Sequence, residues 1–107
     1  MGNRAVLAFS KEGNAVGIYL HWNGGPESIE KFLTICRERG YRDPTADATY
    51  AMARLIGAIC EALPGETGVG VGKLSELDVD NWDNGAYLIG EGWKVVDRWG
   101  KGYGREG

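Results

Sequence analysis

The chain has one histidine, two cysteines, three prolines and no long apolar run in its 107 residues. Each scarcity excludes something. No stretch approaches the roughly 20 apolar residues that a membrane span needs. No basic segment leads into an apolar one near the start, so no secretory leader is expected and the chain reads as cytosolic. His21 alone cannot supply two nitrogen ligands, and no CxxC spacing is present, so no metal site and no cofactor are expected. Cys36 and Cys60 both fall on apolar stripes, and the reading is two buried, reduced thiols. There is no excess of positive charge either. Twelve basic residues stand against fifteen acidic ones, a net charge of −3. Non-specific binding to a nucleic-acid backbone works against that balance, although a local pocket can still attract a small anion.

What is abundant is glycine, with 18 residues, alongside four tryptophans and five tyrosines. The hydrophobic fraction of 43% is that of a globular chain, and the length suits one domain with its own core. The glycines gather at turns and in the tail "GKGYGREG", which is expected to be flexible from position 100.

Periodicity gives the elements. "NRAVLAF" (3–9) is a strand, "SKEGN" a turn in which Gly13 can take a positive φ, and "AVGIYLHW" (15–22) the return strand. On it Val16, Ile18, Leu20 and Trp22 share the face expected to meet the core, while Gly17, Tyr19 and His21 share the other. A first helix opens at Pro26, with Glu27 at its positive end. Ile29, Phe32, Leu33 and Cys36 form its apolar stripe, and Gly40 caps it. After the loop "YRDPTAD", a second helix spans positions 47–63 with Met52, Leu55, Ile56, Ile59, Cys60 and Leu63 inward. Gly57 there permits close approach of another element. "VGVGKL" is a glycine-spaced strand, "SELDVDNWDNG" an acidic loop, and "AYLIGEGWKVVDRW" a hairpin. The order ββααβββ implies a single α+β domain, a mostly antiparallel sheet packed against two helices, with Phe32, Leu33, Ile56 and Ile59 in its core.

The stretch "YLHWNGGPES" carries the clearest site hypothesis. A Gly-Gly turn feeding a helix start offers free backbone N–H groups, which suit a phosphate or carboxylate. Tyr19, His21, Trp22, Asn23, Gly24 and Gly25 are the candidate wall. Tyr19 or Trp22 would stack on a base. Arg42 is the candidate counter-charge. Trp82, Asp83 and Asn84 are candidates to close the site from the acidic loop. The competing reading is a tight strand-to-helix connection with a half-exposed histidine. In the acidic loop the calcium-loop register fails, because Trp82 stands where a third ligand belongs. A polar turn protecting a sheet edge is the alternative there. Motifs of known hydrolases are missing, so no catalytic residue is assigned.

Taken together, "NRAV", "GIYLHWNGG", "YRDP" and "DNWDNGAYLIG" resemble a group of small proteins of phages and mobile elements in Gram-positive bacteria. The resemblance runs from Asn3 to about Arg98. It implies a setting, counter-defence in a bacterial cytoplasm, and no residue roles. Within that setting two functions are expected of such a chain. One is sequestration of a small anionic nucleotide-type immune signal without cleavage. The other is a protein–protein inhibitor of a host defence complex, as anti-CRISPR proteins are. A small nucleotide hydrolase ranks behind both, and a homo-oligomer is left open.

Overall fold

The structure, a computed structural model, describes residues 3–102. Five strands, β1 (Ala5–Ala8), β2 (Val16–Leu20), β3 (Val69–Lys73), β4 (Ala86–Gly90) and β5 (Lys94–Trp99), form one sheet in the order β3-β2-β1-β4-β5. Helices α1 (Pro26–Glu38) and α2 (Ala48–Ala62) lie between β2 and β3 in the chain. The α+β order is as expected, but the sheet is mixed. Three neighbouring pairs are antiparallel, while β1 and β4 run parallel. The excursion from β2 through both helices returns the chain to β3, beside β2, and the segment 74–85 then carries it across the other sheet face to β4 on the far side of β1, a crossover that can join parallel strands where a hairpin cannot.

Both helices cover one face of the sheet. Leu7, Ile18, Leu20, Tyr87 and Ile89 from the strands meet Ile29, Phe32, Leu33 and Cys36 of α1 and Ala51, Met52, Leu55, Ala58 and Ile59 of α2. The expected α1 stripe is buried in full. Its end is a Schellman turn: Gly40 takes φ +67°, its N–H donates to Arg37 O, and the Tyr41 N–H donates to Cys36 O. The α2 stripe is rotated from the expected one. Ala51 and Ala58 turn inward, Ile56 is only half-buried, and Cys60 is exposed. The expectation of two buried thiols therefore holds for Cys36 alone. Small alanines take inward positions of α2, and Cys60 lies on the outer side.

The other sheet face is covered as well. Val6, Ala8 and Ala86 are buried against Leu74, with Tyr19, Leu77, Val79 and Trp99 packed around them. The acidic segment is thus more than a polar turn: Leu74, Leu77 and Val79 point inward and its carboxylates outward. Its continuation, "DNWDNG", is organised by Asn81, which is 1% exposed. The Asn81 amide donates to the carbonyls of Asp78 and Gly85, and its oxygen accepts from the N–H groups of Asp83, Asn84 and Gly85. The start of the tail is docked on this loop rather than loose. Lys101 N–H donates to Asp80 at 2.9 Å, and Lys101 O accepts from Trp82 N–H at 2.9 Å. The remainder of the expected flexible tail lies outside the described residues.

The loop "YRDP" is fastened to the β4–β5 turn. Asp43 accepts from Gly92 N–H at 2.6 Å and from Thr45 N–H and Oγ1, and Tyr41 O accepts from the Trp93 indole at 3.1 Å. These bonds to Thr45 and Gly92 hold the Asp43 carboxyl below its ordinary pKa. Among the described residues no helix is long and apolar enough to cross a membrane.

Candidate functional site

Strand register decides which candidate residues meet. Ala5 pairs with Leu20 and Val6 with Ala86, so the start of β1 lies between the end of β2 and the start of β4. Here the loop Asp83–Asn84 closes on Asn3 and Arg4. Asp83 Oδ2 accepts from the Arg4 N–H at 3.0 Å and from Arg4 Nε at 2.7 Å, and this bond raises the guanidinium pKa. Asn84 donates through Nδ2 to Asn3 Oδ1 and Arg4 O. Gly24 joins the same cluster, its N–H donating to Asn3 O at 2.8 Å. Asn3 and Arg4, which are not among the candidate site residues, are therefore the hub that joins Gly24–Gly25 to Asp83–Asn84.

Tyr19 and His21 stand on one side of this hub. The Tyr19 hydroxyl and His21 Nδ1 share a hydrogen bond at 3.0 Å, and the His21 ring meets Trp22 edge-on at 4.9 Å. Trp22 is 45% exposed, against the expectation that it would point into the core. The strand ends at Leu20, and with it the alternation that would have carried Trp22 inward. Val16, at the other end of β2, is also exposed, at 49%. Gly13 does not take a positive φ; Asn23, at +65°, does.

The anion cradle is largely committed to the fold. With Gly24 N–H on Asn3 O and Gly24 O accepting from the Tyr87 hydroxyl at 2.8 Å, both polar groups of that residue are used. Pro26 contributes no N–H. Arg42 is not part of this cluster. It follows α1, whose thirteen residues extend for about 20 Å, so it sits at the far end of that helix. There it pairs with Asp47 at 3.0 Å and lies over the Tyr50 ring. Arg4 occupies the position for which Arg42 was the sequence candidate. Trp82 takes a positive φ of 63°, and its ring lies 5.6 Å from the Lys101 ammonium.

A second site has no counterpart in the sequence reading. Along the first turns of α2 a cleft of 460 Å³ opens between the helix and the β2–β3 margin. Its walls include Phe9, Val16, Met52, Ala53, Ile56 and Val71. Ser10 and Thr49 contribute the only side-chain hydroxyls of the lining. Val71, in β3, is 54% exposed. The cleft joins residues from the β1–β2 turn, β2, β3 and α2, and only register could reveal it. A smaller hollow of 350 Å³ lies across the sheet from it, against Tyr19, Gly70, Val71, Glu76, Leu77 and Asp78. Comparison of the chain with protein-family models, curated proteins and solved structures finds no match.

Proposed function

We propose that the protein acts by holding a partner protein through the cleft between α2 and the β2–β3 margin, as a binding module. In the counter-defence setting that the sequence resemblance implies, the partner is a component of a bacterial defence complex. The observation that carries this reading is the cleft itself. Its 460 Å³ lies within the roughly 300–1,000 Å³ of pockets that hold ligands. Its lining is mostly apolar and carries no charge, so it favours an aliphatic or aromatic side chain over a phosphate, whose desolvation no cation there would offset. Covering a valine as exposed as Val16 or Val71 contributes about 1 kcal/mol. The test is selection of a displayed peptide library on the immobilised protein, with counter-selection on a Val16→Glu, Met52→Glu variant shown to be folded. Enriched peptides should carry a bulky apolar anchor and lose binding to the variant. Enrichment that ignores the variant would overturn the reading.

A second reading keeps the nucleotide-type ligand. It is supported by the exposed rings of His21 and Trp22 and the half-buried ring of Tyr19, which interacts electrostatically with the Arg4 cation. Incubation with cyclic and ADP-ribose-type nucleotides, removal of excess and heat release would return the intact nucleotide if the end of the sheet holds one. Release of nothing would exclude it.

A further inference from the structure

Val71 belongs to both hollows: it lines the apolar cleft on the helix-covered face and the smaller hollow on the opposite face. It also lies on β3, the end strand of the sheet. His21 N–H donates to Gly68 O and Leu74 N–H to Ala15 O, both at 2.8 Å. The two-residue alternation of an antiparallel ladder then aims the main chain of Gly70 and Gly72 at β2. The N–H and C=O groups of Val69, Val71 and Lys73 point outward, where no strand among the described residues meets them. The opposite margin is guarded differently. On β5 the register is irregular between Leu88 and Ile89, and Lys94, Asp97 and Arg98 crowd the strand. Bulges and charges of that kind discourage strand addition. β3 has an unbroken register with β2 and ends in a single lysine.

We infer that β3 receives an extended segment of the partner as a sixth strand, one in which apolar residues alternate with basic ones. This rests on the cleft-binding reading above and names the chemistry of its partner. An added strand projects successive side chains to opposite faces. On the helix-covered face they lie beside Val71 and over the apolar cleft. On the other face they lie beside Gly70 and Gly72, whose missing side chains leave the hollow open at the sheet margin. That hollow is acidic. Glu76 and Asp78 line or border it, the Glu76 carboxylate standing 3.7 Å from where a Cβ on Gly72 would be. Neither carboxylate is in an ion pair among the described residues. The Tyr19 ring forms a further wall. Carboxylates beside an aromatic face suit a lysine or arginine head group. Main-chain bonds to the outward groups of Val69, Val71 and Lys73 would fix the register, as in other strand-addition complexes.

The experiment uses short fluorescein-labelled peptides and the full chain, read by fluorescence anisotropy. A peptide alternating valine and lysine is compared with one alternating valine and glutamate, and with a peptide of the same valines and lysines in two blocks. The alternating valine–lysine peptide should bind best by about tenfold or more, and Glu76→Lys with Asp78→Lys should abolish that preference. Amide exchange on the wild-type chain supplies a readout that does not depend on a variant folding. Val71 N–H should become protected on saturation while the β5 amides do not change. Equal binding of the glutamate or block peptide, no binding of any, or an unprotected Val71 amide overturns the inference. A bound peptide that shifts the Met52 methyl signal but leaves Val71 N–H unprotected would sink strand addition while leaving the cleft reading intact.

Discussion

Two glycines should respond to alanine with opposite signs, and the reason is legible atom by atom. At Gly24 a Cβ would stand 2.6 Å from both Ala5 Cβ and Asn3 O, and 2.9 Å from Arg4 C. Ordinary carbon contacts are about 3.5–4.0 Å, so the β1 start and the α1 entry would have to separate by roughly 1 Å. Overpacking of this sort costs about 1–3 kcal/mol. Moving Gly24 also strains the buried bond from Tyr87 Oη to Gly24 O, and leaving those groups unpaired costs about 1–3 kcal/mol more. The total for Gly24→Ala is a loss of about 2–6 kcal/mol. For a domain of this length that is a fall in Tm of about 10 °C or more. Gly57 is the control. It sits in α2, is exposed, and a Cβ there meets nothing within 4 Å, contrary to the close approach its position suggested. Gly57→Ala should stabilise by about 0.5–1 kcal/mol through helix propensity and reduced freedom of the unfolded chain. Urea unfolding followed by tryptophan fluorescence, with thermal scans by circular dichroism, measures both. A Gly24→Ala variant as stable as the parent, with weakened ligand binding only, would refute the packing argument and restore the turn as a ligand cradle.

Asn81→Asp should cost about 2–4 kcal/mol in the same assay, because a carboxylate cannot donate to the Asp78 and Gly85 carbonyls inside the loop; an unchanged midpoint would refute its organising role. Asp43 has a folded pKa below its ordinary value. Its contribution is therefore complete above the unfolded value of about 3.9 and is lost as pH falls through the folded one. Asp43→Asn should lower stability at neutral pH by about 1 kcal/mol and flatten the acid limb of the stability curve, checked by urea midpoints across the acid range. Cys60 should react with iodoacetamide in the native state. Cys36, whose thiol is pushed up to about 11 by burial, should react only on unfolding, as mass spectrometry after timed labelling would show. Cys36→Ala should cost about 1–2 kcal/mol and Cys60→Ala less than about 0.5.

Local pattern was enough to determine the element order, the α1 stripe with its glycine cap, and burial of Ile18, Leu20, Phe32, Leu33 and Ile59. These depend on side-chain period and backbone preference over a few residues, which a single sequence carries. Pattern could not tell which strands become neighbours. The parallel pairing of β1 with β4, reached by the crossover from β3 through the acidic segment, brings Arg4 to Asp83 across 79 positions. Arg42 lies a helix length away, with Asp47 and Tyr50, so the arginine at that end of the sheet is Arg4. Val16 and Trp22 had the right alternation for the core, but alternation says only which face a side chain takes. Whether a helix covers that face at that point depends on how α2 packs on the sheet, and at Val16 and Val71 a cleft lies between the two. The glycines of "VGVGK" were visible as a spacing; that they bare one side of a sheet margin follows from β3 being last in the sheet among the described residues, which is a property of the chain's packing and of no segment of it.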